Sequence, residues 1–290
     1  MPELPEVHTI VVGIKNKIVG KTIKSVDVRV AKIVGGNGDL FKKAVEESKV
    51  IGVRRFAKII VIDLNNNYSM LIHLKLTGQL VLVSKGAKGE TEKNIGGHLS
   101  KIYEQPLPHN HTHIIFSFTD GSHLYFNDLM KFGYIKAVKT SEVEKRPEIT
   151  KLGPEPLGGW TLAEFENRLV KKPKSRIKLV LMDQSFVSGI GNIYANEILF
   201  YARVRPDRLI GSLTENEKKR IFDGIQFILK KGIEMGGSSE NTYVNLDGKK
   251  GNFMDYAKVY QQKICKVCGG RIIKQQLGGR GTYYCPNCQK

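Results

Sequence analysis

All four cysteines of this 290-residue chain lie within its last 26 residues, as Cys265-x2-Cys268, a gap of sixteen residues, and Cys285-x2-Cys288. No other feature restricts the fold so tightly. Each pair can hang from one tight turn, so that Cys265, Cys268, Cys285 and Cys288 converge on one Zn2+ ion as a four-cysteine zinc ribbon. Between the pairs stand five glycines and the run Gly279-Arg280-Gly281-Thr282-Tyr283-Tyr284, which reads as a hairpin tip. Lys266, Arg271, Lys274, Arg280 and Lys290 share the module with no acidic residue. A metal staple that carries only positive charge points at a polyanion. The alternatives are two disulfides, against which the lack of any secretion pattern argues, and a ribbon that only stabilises the terminus.

The rest of the chain repeats the charge signal. Lys plus Arg number 46 and Asp plus Glu 28, a net charge of +18. Such a balance favours fast, salt-sensitive association with DNA or RNA, and by itself does not separate them from an acidic membrane surface. No apolar run approaches membrane-spanning length. The N-terminus, Met1-Pro2-Glu3-Leu4-Pro5-Glu6, lacks the basic and apolar regions of a signal peptide. A soluble, cytoplasmic protein is expected, monomeric for want of coiled-coil heptads and without a membrane partner. With 41% hydrophobic residues it can bury two modest cores.

The pattern changes near the middle. Up to about Val138 it is mainly that of strands. Val26, Val28 and Val30 alternate with polar residues, and Ile59–Leu64, Met70–Leu74, His113–Phe118 and His123–Phe126 are short β-rich runs between Asn or Gly turns. One helix opens this half, from Pro5 to about Val19. A charged stretch, 139–151, reads as a hinge. Beyond it the periodicity is helical: Thr161 and Glu164 form a capping box, and Thr214 and Glu217 another, the second helix ending at Gly236-Gly237. The expectation is an α+β protein: a β-rich domain over 1–138, a helical domain over 152–254 and the ribbon over 255–290.

Other constellations have competing readings. Arg168, Lys171, Lys172, Lys174, Arg176 and Lys178 crowd eleven residues without an acid, which favours phosphate contact over a solvated face. Gly189-Ile190-Gly191-Asn192 lacks the third glycine and the preceding strand of a dinucleotide loop. It joins two helical stretches, where backbone amides and Asn192 can meet a phosphate. His109, His111 and His113 alternate, as on one face of a strand, but no carboxylate accompanies them, so ordinary strand or loop polarity is preferred to a metal site. The stretch from Gly236 to Gly251 reads as a long lid-like loop. At the N-terminus, Pro2 with Glu3 and Glu6 is ordinary helix capping. Removal of Met1 would, however, expose a secondary amine with a pKa of roughly 8, able to attack an electrophilic carbon, with Glu3 beside it to move protons.

Taken together, these segments resemble bacterial formamidopyrimidine-DNA glycosylases. The resemblance is carried by Met1-Pro2-Glu3-Leu4-Pro5-Glu6-Val7, Arg54-Arg55-Phe56-Ala57-Lys58, His73-Leu74-Lys75-Leu76-Thr77-Gly78, Lys131-Phe132-Gly133, Leu152-Gly153-Pro154-Glu155-Pro156-Leu157, Gly189-Ile190-Gly191-Asn192-Ile193-Tyr194-Ala195-Asn196-Glu197 and the ribbon. The set is in the family's order along the whole chain. It implies an N-terminal β-sandwich with a flanking helix, a helix–two-turns–helix domain and one structural zinc. It also implies a bifunctional base-excision repair enzyme for oxidised purines in double-stranded damaged DNA, nucleoid-associated when bound. By motif, Pro2 is the nucleophile, Glu3 the acid/base and Lys58 the lysine of the elimination steps, and cutting proceeds by β,δ-elimination. His73, Asn192 and Arg280 match residues that grip phosphates, and the loop from Gly237 to Gly251 matches the segment that closes on the everted base. Leu76, Met130 and Phe132 match the methionine, arginine and phenylalanine that fill the gap left by the flipped base. Met130 is the departure, since a thioether donates no hydrogen bond, and Lys131 stands beside it as a substitute. An endonuclease VIII-like enzyme for oxidised pyrimidines and a non-catalytic DNA-binding relative are the alternatives. Leu4 speaks against the first, and intact Pro2, Glu3 and Lys58 against the second.

Overall fold

The computed structural model describes residues 1–86, 90–238, the backbone of 243–244, and 251–290. Contacts divide the chain into two units, 1–150 with 239–251, and 151–238 with 252–290.

The first unit opens with helix α1 (Leu4–Ile18). Pro5 sits in its first turn, where the missing N–H costs nothing, and Lys15 and Lys17 sit in its last, where they face the negative end of the helix dipole. Leu4, Val7, Ile10, Val11, Ile14 and Ile18 form a buried stripe at three- and four-residue spacing. Strand β1 (Ile23–Val28) and helix α2 (Gly38–Val45) follow. Next come β2 (Val50–Phe56), β3 (Ile59–Leu64), β4 (Tyr68–His73), β5 (Gly78–Lys85) and β6 (Thr91–His98). Strands β7 (Thr112–Phe118), β8 (His123–Asp128) and β9 (Tyr134–Lys139) complete the run. The strands make two antiparallel sheets, in the orders β2-β3-β4-β9 and β1-β7-β8-β5-β6. A short β10 (Tyr243–Val244) adds to the edge at β6 by its backbone. Ile60, Ile62 and Ile72 of one sheet and Leu80, Phe116 and Phe126 of the other belong to one apolar cluster, so the architecture is a β-sandwich flanked by α1. The continuous run Ile59–Ile62 is buried throughout because β3 is covered on both faces.

The segment 139–151, read as a hinge, carries a 3-10 stretch over Thr140–Lys145 and the one-turn helix α3 (Pro147–Thr150). The histidine alternation is corrected. Only His113 lies in β7, while His109 and His111 occupy the turn before it, closed by the Thr112 N–H on the His109 carbonyl at 2.9 Å. The lid-like loop read over 236–251 falls mostly outside the described residues.

The second unit is helical: α4 (Leu162–Leu169), α5 (Ile177–Met182), α6 (Asn192–Tyr201), α7 (Glu215–Glu234) and the short α8 (Phe253–Tyr256). Both capping boxes form. The Glu164 N–H reaches Thr161 Oγ1 at 3.2 Å and the Glu217 N–H reaches Thr214 Oγ1 at 3.2 Å, with each glutamate bonding back to its cap. Trp160, Phe165, Leu199, Ile225 and Phe253 lie in one core. Strands β11 (Ile273–Leu277) and β12 (Arg280–Tyr284) make the ribbon hairpin, with its own small core around Phe200, Val259 and Ile272. Among the described residues no helix is long and apolar enough to cross a membrane.

Candidate active site and phosphate-binding elements

In the first unit, Pro2 and Glu3 lead directly into α1. Glu3 is its N-cap, and the Glu3 N–H donates to Glu6 Oε2 at 2.7 Å. Both carboxylates are buried. The β2–β3 turn is only two residues long, Phe56 pairing with Ile59. Ala57 takes a φ of 49° there and Arg55 Nη1 holds its carbonyl at 2.7 Å, which turns Lys58 inward. Lys58 is 5% exposed. Burial pulls its ammonium below the usual lysine range, while Glu3 and Glu6 pull it back up and Lys75 pushes it down. An amine of this kind exchanges protons more readily than a solvated lysine.

His73 ends β4. Burial, then Lys75 and Lys58, hold its imidazole down at about 3, so it is neutral at physiological pH. Its Nδ1 accepts the Lys75 N–H at 3.0 Å. The ring proton therefore belongs on Nε2, which is left as a neutral hydrogen-bond donor. Leu76, Met130 and Phe132 stand out on two loops, 40%, 44% and 55% exposed, a degree unusual for such large apolar side chains. Lys131 lies between the last two in the left-handed region, at φ 55°.

In the second unit, Asn192 begins α6, after Gly189 at φ +85° and the N-cap Gly191. The Asn192 Oδ1 is buried without a hydrogen-bond partner. It lines a hollow of about 550 Å³ with Tyr260, Lys274, Gln275, Gln276, Gly281 and Tyr283. First-turn amides and an amide side chain beside a lysine suit an anion. Arg280 stands exposed at the ribbon tip, next to the two-residue turn Gly278-Gly279. Both glycines have positive φ, +56° and +72°, which this tight hairpin turn requires.

The four cysteine sulfurs lie within 4.8 Å of one another, with Cys265–Cys288 at 3.9 Å and Cys268–Cys285 at 3.5 Å. A zinc tetrahedron with bonds of about 2.3 Å has sulfur–sulfur edges of about 3.8 Å. Burial and the neighbouring sulfurs push the Cys288 thiol up to about 12, so four ionised sulfurs need a cation among them. The donor set and its size fit a structural zinc.

Three family models cover the chain in order: the formamidopyrimidine-DNA glycosylase N-terminal domain over residues 1–135, the formamidopyrimidine-DNA glycosylase H2TH domain over 152–244, and the zinc finger found in FPG and IleRS over 263–290. The chain belongs to the formamidopyrimidine-DNA glycosylase family. Formamidopyrimidine-DNA glycosylases of Listeria monocytogenes and Heliobacterium modesticaldum are 42% and 37% identical to it, each over the full length of both chains. Among solved structures, a Lactococcus lactis FPG mutant in complex with a Fapy-dG containing DNA superposes with a TM-score of 0.87 at 30% identity, covering all of both chains. The complex of Lactococcus lactis Fpg with an abasic site containing DNA gives 0.86 at 30% identity, covering 99% of each.

Several further polar groups of this glycosylase-family chain are buried. Lys178, grouped above with the phosphate-facing basic run, is corrected. It is fully buried, and its Nζ donates to Thr282 Oγ1 at 2.7 Å and to the Gly281 carbonyl at 3.1 Å. The Tyr283 N–H donates to Asn196 Oδ1 at 2.8 Å. Glu197 accepts the backbone N–H groups of Lys258, Val259 and Tyr260 at 2.8–3.0 Å. Burial raises its carboxyl above the usual range, with those three donors pulling it back. Lys178 of α5 and Asn196 of α6 thus hold the ribbon hairpin and set where Arg280 stands, while Glu197 holds the segment that leads into the ribbon.

Proposed function

We propose that this protein is a bifunctional DNA glycosylase and abasic-site lyase that removes oxidised purines, 8-oxoguanine and formamidopyrimidines, from duplex DNA. The observation that carries the reading is the buried set Glu3, Lys58 and neutral His73 gathered in the unit whose first helix starts just after Pro2. Membership of the glycosylase family supports it, as do the solved relatives bound to DNA.

Pro2 acts only after Met1 is removed, because the nitrogen of a peptide bond is not nucleophilic. The freed amine attacks the anomeric carbon of the everted nucleotide. The bond from that carbon to the base breaks, and the base leaves with the electron pair and takes up a proton. Glu3, a buried carboxyl beside the nucleophile, donates the proton that opens the sugar at its ring oxygen, leaving an iminium on Pro2. Loss of a proton from the neighbouring sugar carbon then expels the 3′ phosphate, and a second elimination expels the 5′ phosphate. Lys58, its ammonium made more acidic by burial, serves these proton transfers. Hydrolysis frees the proline and the sugar remnant.

His73 Nε2, Asn192 and Arg280 hold phosphates flanking the lesion, while Leu76, Met130 and Phe132 fill the gap in the stack, with Lys131 beside them. Borohydride trapping on a duplex with 8-oxoguanine, followed by peptide mapping, should place the adduct on Pro2 of the Met1-free chain. An adduct on a lysine, or faster excision of thymine glycol than of 8-oxoguanine, would overturn the reading.

A further inference from the structure

The two loops that present Leu76 and Met130–Phe132 are held by one buried polar hub. Thr77 Oγ1 donates to Asp128 Oδ1 and accepts the Met130 N–H at 3.0 Å. Asp128 Oδ2 accepts the Gly133 N–H at 2.7 Å. Each loop also stores backbone strain: Lys75 has φ 52° and Lys131 φ 55°. A side chain at Gly78 would put its first carbon 2.3 Å from the Leu74 carbonyl oxygen. Loops bent like this relax unless their neighbours pin them.

Tyr103 supplies a pin from elsewhere in the chain. It lies in a short 3-10 stretch, Lys101–Glu104, after β6, and is 4% exposed. Its hydroxyl donates to the Thr77 carbonyl at 2.7 Å and accepts the Leu129 N–H at 2.7 Å. One oxygen thus bonds the backbone of both loops. The ring is fixed by a stack on His109, centroids 5.5 Å apart at 8°, and by edge contacts with His98 and His111. Burial pushes the phenol up to about 12, so it keeps the proton it donates.

We infer that Tyr103 is a positioning residue for base extrusion: it staples the two loops so that Leu76, Met130 and Phe132 enter the duplex as one rigid wedge. The inference rests on the proposed wedge role of those three side chains. A preformed wedge spends no binding energy on ordering its loops, and that saving goes into opening the stack. Tyr103 acts through the two loops and not on the sugar or the phosphates.

The test is Tyr103→Phe in the full-length, Met1-free, zinc-loaded enzyme, with single-turnover excision of 8-oxoguanine from two duplexes. In one the lesion is paired with cytosine. In the other it faces a missing nucleotide, so no partner base needs to be displaced. The variant leaves the Thr77 carbonyl and the Leu129 N–H unpaired, so excision from the paired duplex should fall roughly ten- to a hundredfold. Excision from the pre-opened duplex should be unchanged. Thr77→Val, which breaks the same hub from the other side, should give the same pattern. Equal losses on the two duplexes, or no loss on either, would overturn the inference. Borohydride trapping of the unsubstituted enzyme separates this from failure of the proposed reaction: no Pro2 adduct sinks the reaction, whereas a Pro2 adduct with an unaltered Tyr103→Phe ratio sinks only the staple.

Discussion

The two units use buried charge in opposite ways. In the first, the buried ionisable groups are those of the proposed chemistry: Glu3, Lys58 and His73 are withdrawn from water, and burial moves both bases down. In the second, the buried charges Lys178 and Glu197 are structural, each spent on hydrogen bonds to the segments around the ribbon, while Arg280 remains in solvent. Desolvation perturbs Lys58 and His73 within reach of charged neighbours, Glu3 among those of Lys58, whereas Lys178 and Glu197 are each held by neutral donors or acceptors that cannot exchange a proton with them. The proposed division of labour, a reactive unit and a gripping unit, rests on that contrast, each unit being built on polar groups that a purely apolar core would exclude.

Substituting one unit at a time should split chemistry from grip. Glu3→Gln keeps the side-chain volume and removes the acid, so base excision should fall by about two to four powers of ten with the DNA dissociation constant unchanged. Cys285→Ser should do the reverse. The ribbon loses the metal that folds it, zinc content drops below one equivalent, and duplex affinity falls by about a hundredfold or more, because metal binding is the folding free energy of so small a module. Filter binding and metal analysis on the two proteins decide this. Loss of affinity in Glu3→Gln, or full affinity in Cys285→Ser, would merge the two roles.

Motif spacing exposed the gripping unit's metal and the reactive unit's first helix, because both are local. Four thiols at fixed intervals and a proline-led apolar stripe need no knowledge of what packs against them. The strand runs Ile59–Leu64 and His123–Phe126 were legible for the same reason. Lys178 was not. A basic run without acids reads as a surface, but Ile177, Val180 and Leu181 turn the inner face of α5 toward the core and carry Lys178 with them. Alternation of His109, His111 and His113 signals a strand only where a strand exists, and a turn takes the first two out of it. Tyr103 bonds residues 26 positions away on either side, at Thr77 and Leu129, and no local pattern announces such a pairing. The role of Met130 was legible only through the family's own pattern.

That residue offers a smaller, sharper probe of the reactive unit. In the proposed wedge role Met130 offers the orphaned base a thioether, and a thioether donates no hydrogen bond. One good base-edge contact is worth about 1–3 kcal/mol of discrimination, or roughly one to two powers of ten. Excision of 8-oxoguanine opposite cytosine should therefore exceed that opposite adenine by less in the natural protein than in Met130→Arg, by roughly that factor. Equal ratios in the two proteins would show that Lys131 or another donor already reads the partner base.

Mild acid should separate the units with the smallest effect of all. All seven histidines precede residue 151, and none lies in the gripping unit. His73 is held at about 3 in the folded chain against an ordinary value of 6.5. A base whose folded pKa is depressed binds fewer protons folded than unfolded, so its contribution to stability is complete above about 6.5 and is lost as pH falls from there toward 3. His8, His98, His109 and His113 are lowered too, chiefly by burial, and act with the same sign. Each fully depressed group costs about 1.4 kcal/mol per pH unit, so His73 alone should remove about 2 kcal/mol between pH 6.5 and 5. Amide protection factors in β4, from which the intrinsic pH dependence of exchange is divided out, should fall over that window, and His73→Gln should flatten their slope. The single tryptophan, Trp160, lies in the core of the gripping unit, and its fluorescence-detected unfolding should not weaken over the same range, because Glu197, raised by burial, acts there with the opposite sign. An acid slope at Trp160 as steep as that at β4 would mean that the two units share one cooperative transition, and that the chain's contrast in buried charge does not extend to its stability.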